Sequence, residues 1–192
     1  DALGIASAHV YGVSMGGMIA QELALRHPQR VRTLILAATT YGGPNAVMGS
    51  VDVVQAWTQL ATLPYEEAYE RGLPFLYSDE FIARNKEQLI REGLKHAHLR
   101  PPLPALRRQF QAVVQLDTYE RLPQIRAPTL ILTGTADKVV PPDNSRLLAE
   151  RIPGSQLVEL EDAGHGFLVE KAEESNATVL DFLNHHRLKL AR

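Results

Sequence analysis

One hexapeptide, Gly12-Val13-Ser14-Met15-Gly16-Gly17, limits the folds open to this chain more than any other feature. The pattern G-x-S-x-G needs a sharp turn from a strand into a helix, with the serine hydroxyl lifted clear of the backbone. The flanking residues supply both elements. His9 to Val13 is short, apolar and partly β-branched, the pattern of a buried parallel strand. Met15 to His27 carries Met18, Ile19 and Leu23 at helical spacing, and Pro28 stops the helix. On steric grounds Gly12 and Gly16 are expected to remove side chains that would collide across the turn, and Gly17 to let the helix approach the strand. The amide of Met15 then lies at a helix N-terminus, where it can donate to an oxyanion.

More strands follow. Val31–Ala38, Thr129–Thr133 and Gln156–Leu160 are short apolar runs, the last two separated by a helical stretch from Asn144 to Ile152 with Asp143 as its expected N-cap. Between the second and third runs, residues 45–119 hold no strand pattern and most of the aromatic residues. Helical stretches are expected near 47–60, 65–71, 78–96 and 104–116, divided by prolines. A terminal helix is expected over 170–188. This alternation predicts an α/β fold with a mostly parallel sheet and flanking helices: a core of 1–44 and 120–192 and a helical cap of 45–119.

Two loops after strands carry the partners a serine needs. A serine hydroxyl is a weak nucleophile until a base takes its proton, and the base needs an orienting acid. Asp137 follows the strand 129–133, and His165, between Gly164 and Gly166, follows the strand 156–160. The order Ser, Asp, His places all three at the C-terminal edge of a parallel sheet. Asp162 ranks below Asp137 as the acid. His96 and His98 alternate and do not share a helix face, so no metal site is expected. His185 and His186 read as solvated, and Asn176-Ala177-Thr178 matches a glycosylation sequon inside a helix.

Taken together, Gly-Val-Ser-Met-Gly-Gly at 12–17, Ala-Leu-Arg-His-Pro with Arg30-Val31 at 24–31, Ala-Pro-Thr-Leu with Gly-Thr-Ala-Asp at 127–137 and Ala-Gly-His at 163–165 resemble the α/β-hydrolase superfamily. The likeness is to its capped members such as 3-oxoadipate enol-lactonases and related carboxylesterases. It implies Ser14 as nucleophile, His165 as base and Asp137 as its partner, acting on a small ester or lactone without a cofactor. Trp57, Tyr65 and Phe75 are candidates for an apolar substrate pocket. Asp at the elbow marks the dehalogenase and epoxide-hydrolase relatives, so Ser14 argues against those chemistries. Carbon–carbon hydrolysis and perhydrolysis use the same triad and stay open, as does a non-catalytic half-fold.

The resemblance also implies an eight-stranded sheet, of which this sequence supplies the last four strands. The family's second oxyanion donor, from a loop after the third strand, is therefore not expected here. The strand at 9–13 is expected to be an open edge, covered by another copy of the chain or by a missing N-terminal segment.

Composition excludes several alternatives. Of 192 residues, 22% are charged with a net charge of −2, which gives no basis for binding nucleic acid or a membrane surface. No apolar run is long enough to span a bilayer. Cysteine is absent, which rules out disulfides and thiolate metal sites. No signal peptide is visible, and a cytoplasmic location is expected.

Overall fold

The structure is a computed structural model that describes residues 2–186; the side chains of Val54 and Trp57 lie outside the described residues. Four parallel strands form one sheet in the order β1 (Ala8–Val13), β2 (Val31–Ala37), β3 (Thr129–Gly134), β4 (Gln156–Leu160). Helix α1 (Met15–Arg26) links β1 to β2. Four helices lie between β2 and β3: α2 (Val51–Leu60), α3 (Tyr65–Leu76), α4 (Asp79–Leu94) and α5 (Leu103–Gln115). Helix α6 (Asp143–Arg151) links β3 to β4, and α7 (Phe167–Glu170) and α8 (Ala172–His185) end the described chain.

Both faces of the sheet are covered, which is why β2 and β3 are apolar at consecutive positions rather than alternate ones. Successive side chains point to opposite faces. Leu34, Leu36 and Ile131 pack with Ala20 and Ala24 of α1 and Leu148 of α6. Ile35, Ala37, Leu130 and Leu132 pack on the other face with Phe167, Val179 and Phe182. A third, smaller cluster of Leu73, Tyr77 and Leu89 holds α3 to α4.

Several sequence expectations need correction. The first strand is not buried: Tyr11 and Val13 remain 42% and 37% exposed. It pairs only with β2, so one of its edges has no strand beside it among the described residues, which is the open edge expected from the sequence. Ile19 faces outward, and Met18, Ala20 and Ala24 form the buried side of α1. Pro74 lies inside α3 rather than ending it. It falls in the last turn, where its missing N–H removes one hydrogen bond and the chain leaves the helix soon afterwards. Asp143 does not cap α6 but begins it, and its carboxylate pairs with Arg146 at 2.8 Å. The single helix expected over 170–188 is two, α7 and α8, divided at Lys171 with its backbone at φ −121°. The part beyond residue 186 lies outside the described residues.

Candidate active site

Three of the four strands deliver a candidate side chain from their C-terminal ends. Ser14 is the residue between β1 and α1, with φ 52° and ψ −121°, a left-handed conformation that a non-glycine residue adopts only under constraint. The constraint is visible. Its N–H donates to Ala37 O at 2.9 Å, and its carbonyl accepts from Gly17 N at 2.9 Å and from Thr39 Oγ1 at 2.7 Å. The turn also needs Gly12, since a Cβ there would lie 2.3 Å from Gly16 O. The reason expected for Gly16 does not hold. A Cβ at Gly16 meets nothing within 4 Å, so Gly16 contributes its close-lying backbone, not its missing side chain.

The candidate acid and base are paired. Asp137 Oδ2 and His165 Nδ1 are 2.8 Å apart. The Asp137 carboxylate is fully buried and the imidazole is 11% exposed. The other carboxylate oxygen, Oδ1, accepts from the N–H groups of Val139 and Val140, both at 2.8 Å. Two amides and one ring nitrogen thus satisfy a buried anion, which would otherwise carry a large desolvation cost. With Nδ1 used in this way, Nε2 is the imidazole atom left for proton transfer. Among the described residues no hydrogen bond joins Ser14 Oγ to the imidazole. Such bonds are often long before substrate binds.

The N–H groups of Gly17 and Met18 are both taken by Ser14 O. Met15 N–H, the first amide of α1, has no intrahelical acceptor and meets the dipole condition for an oxyanion donor. The proposed substrate residues fare unevenly. The Tyr65 hydroxyl donates to Gly93 O at 3.2 Å and its ring stacks on Tyr69, so it joins α3 to α4. Phe75 lines a cleft of about 260 Å³ with Leu60, Leu63 and Arg71. The Trp57 side chain lies outside the described residues.

Sequence reasoning missed the residues that hold the loops. Asn144, fully buried, accepts from Thr40 Oγ1 and Val47 N and donates to Val47 O and Pro141 O, which joins the start of the helical segment to the Asp137 loop. Glu170 accepts from Gly164 N at 2.9 Å and from Ser78, 92 residues away. No spacing rule points to either contact. The helical segment meets the histidine loop closely: Gly166 N donates to Leu76 O at 2.7 Å, and a Cβ on Gly164 would lie 2.5 Å from Leu76 O. Tyr77 packs beside Gly166, and burial pushes its phenol up to about 12. No described helix is long and apolar enough to cross a membrane.

A parallel sheet covered on both faces, with a strained serine at one strand end and an Asp–His pair at two others, defines an α/β-hydrolase. The family described as "Serine aminopeptidase, S33" matches residues 4–172, and the chain belongs to that family, within the α/β-hydrolase superfamily. It is 35% identical over 187 residues to a protein of Caulobacter sp. (strain K31) named "Putative carbamate hydrolase RutD", covering 96% of this chain and 68% of that one. Among solved structures it is similar to the enol-lactonase from Burkholderia xenovorans LB400, with a TM-score of 0.76 and 30% identity, covering 95% of this chain and 67% of that one. A meta-cleavage product hydrolase from Pseudomonas fluorescens IP01 gives a TM-score of 0.78 at 26% identity, covering 97% and 70%. The chain is a hydrolase by this kinship.

Proposed function

We propose that the protein cleaves a small carboxylic ester or lactone through an acyl-enzyme on Ser14. The reading rests chiefly on the Asp137–His165 pair, whose buried carboxylate fixes the imidazole with Nδ1 engaged and Nε2 available. In the proposed reaction His165 Nε2 takes the proton from Ser14 Oγ as the oxygen attacks the carbonyl carbon. Asp137 stabilises the imidazolium, and Met15 N–H receives the developing oxyanion. The C–O bond to the leaving group breaks, and the imidazolium returns the proton to the departing oxygen. Water, deprotonated by His165, then attacks the acyl carbon, the bond to Ser14 Oγ breaks, and the imidazolium returns the proton to Oγ as the acid is released. The names of the carbamate-hydrolase and enol-lactonase relatives support a carbonyl substrate and leave ester, lactone and carbamate as the classes to compare.

The test is labelling by a fluorophosphonate together with turnover on a panel of those three classes. Ser14 is expected to carry the label. Ser14→Ala is expected to lose it and to lower kcat by about 10⁴-fold or more. Unchanged labelling of Ser14→Ala would refute the nucleophile. One other reading, a fold that binds a carbonyl ligand without turnover, makes the opposite expectation on this panel. A folded chain that binds product acids but neither labels nor turns over would establish that reading instead.

A further inference from the structure

His165 is held from outside its own loop. The residue before it, Gly164, donates its N–H to Glu170 Oε2 at 2.9 Å. The residue after it, Gly166, donates its N–H to Leu76 O at 2.7 Å. Leu76 ends α3, and Glu170 reaches the same junction between α3 and α4. Its carboxylate accepts from Ser78 N at 3.3 Å and from the Ser78 hydroxyl. Ser78 is in turn the N-cap of α4, its Oγ accepting from Phe81 N at 3.3 Å. A carboxylate at this helix start is stabilised by the free amides and by the helix dipole. Glu170 is therefore held firmly on one side while it holds the His165 backbone on the other.

We propose that Glu170 is a positioning residue for His165, and that through it the α3–α4 junction at residues 76–78 sets where the imidazole stands relative to Ser14. The inference rests on the hydrolase reading above. Glu170 touches no reacting atom. Its carboxylate fixes the Ala163–Gly164 peptide, one residue short of His165, and the Leu76 carbonyl fixes the His165–Gly166 peptide, so the ring pivots on a backbone tethered on both sides. Asp137 then orients the ring within that frame. Misplacing a catalytic group by about 1 Å costs up to about a hundredfold in rate.

The experiment compares Glu170→Ala, Glu170→Gln and Ser78→Ala with the unaltered chain. The readouts are kcat and KM on the best substrate of the panel, and the proton resonance of the His165 Nδ1–H held by Asp137. Glu170→Ala is expected to lower kcat by about tenfold or more, leave KM within about twofold, and broaden or shift that resonance. Glu170→Gln keeps one acceptor oxygen and is expected to restore much of the rate. Ser78→Ala is expected to fall between Glu170→Gln and the unaltered chain. If Glu170→Ala does not fold, Glu170→Gln and Ser78→Ala decide the matter by the same two readouts. Folded variants with unchanged kcat and an unchanged Nδ1–H resonance overturn the proposal, whether or not Ser14 labels. Loss of labelling in the unaltered chain overturns the hydrolase reading alone, since the resonance still reports the position of His165.

Discussion

At the scale of single residues, the turn around Ser14 divides two glycines that look equivalent in the sequence. A methyl group on Gly12 would lie 2.3 Å from Gly16 O and 2.7 Å from Gly17 Cα, backbone atoms that cannot step aside. A methyl group on Gly16 meets open space. Gly12→Ala is thus expected to destabilise the chain by about 1–3 kcal/mol or more. Gly16→Ala is expected to stay within about 1 kcal/mol of the parent, since the strain is absent and alanine favours the helix. Thermal unfolding of the two variants checks this, and equal losses in Tm would contradict it. The symmetric motif concealed the difference because it records which residues are small, not which atoms approach them. The chain order and the strands before Asp137 and His165 point to the pair that the structure brings together, and Ser14 stands at the end of β1 as the motif requires. Glu170 was not, because its meaning depends on Ser78, which only the folded chain brings near.

Elements meet through a few ionic contacts, and one of these carries a pH signature. Glu22 on α1 pairs with Arg121, in the turn before β3, and with Arg26 on its own helix. Hydrogen bonding to Arg121, ahead of its other influences, lowers the Glu22 carboxyl to about 2. A carboxyl depressed on folding contributes stability that is present above its unfolded value of about 4.3 and lost as pH falls toward about 2. Arg121 is more than a third exposed, so the contribution is expected to be about 1 kcal/mol or less. Glu22→Gln should therefore lower Tm at neutral pH, with the gap closing between about pH 5 and pH 2. A gap that persists at the acid end would assign the effect to packing. The strands were mostly legible, since β2 and β3 are largely apolar runs bounded by turn residues. The failures came where tertiary context overrides local pattern. A proline in the final turn of α3 costs only one hydrogen bond, and Asp143, expected as a cap, is the first residue of α6.

That edge is the main unsatisfied feature of the whole molecule. The backbone of β1 pairs with β2 on one side, and on the other side no described strand pairs with it. Tyr11 and Val13 are partly exposed beside it, and Leu3 and Ile5 are 83% and 52% exposed. Leu3, Ile5, Val10 and Leu23 line an open apolar groove of about 390 Å³ at its N-terminal end. Unpaired, apolar strand edges recruit further strands unless charge, a bulge or a covering segment prevents it. Here no charged residue lies within β1, whose sequence is Ala8-His9-Val10-Tyr11-Gly12-Val13. The 192-residue chain is therefore expected to associate through this edge, either with a second copy or with further chain. Sedimentation velocity should give a mass above that of one chain that rises with concentration, and the β1 amides should be protected from hydrogen exchange as it rises. Tyr11→Lys, which adds a charge next to the exposed edge, is expected to reduce both effects. A single-chain mass at every concentration, with β1 amides exchanging freely, would show that the edge tolerates water after all.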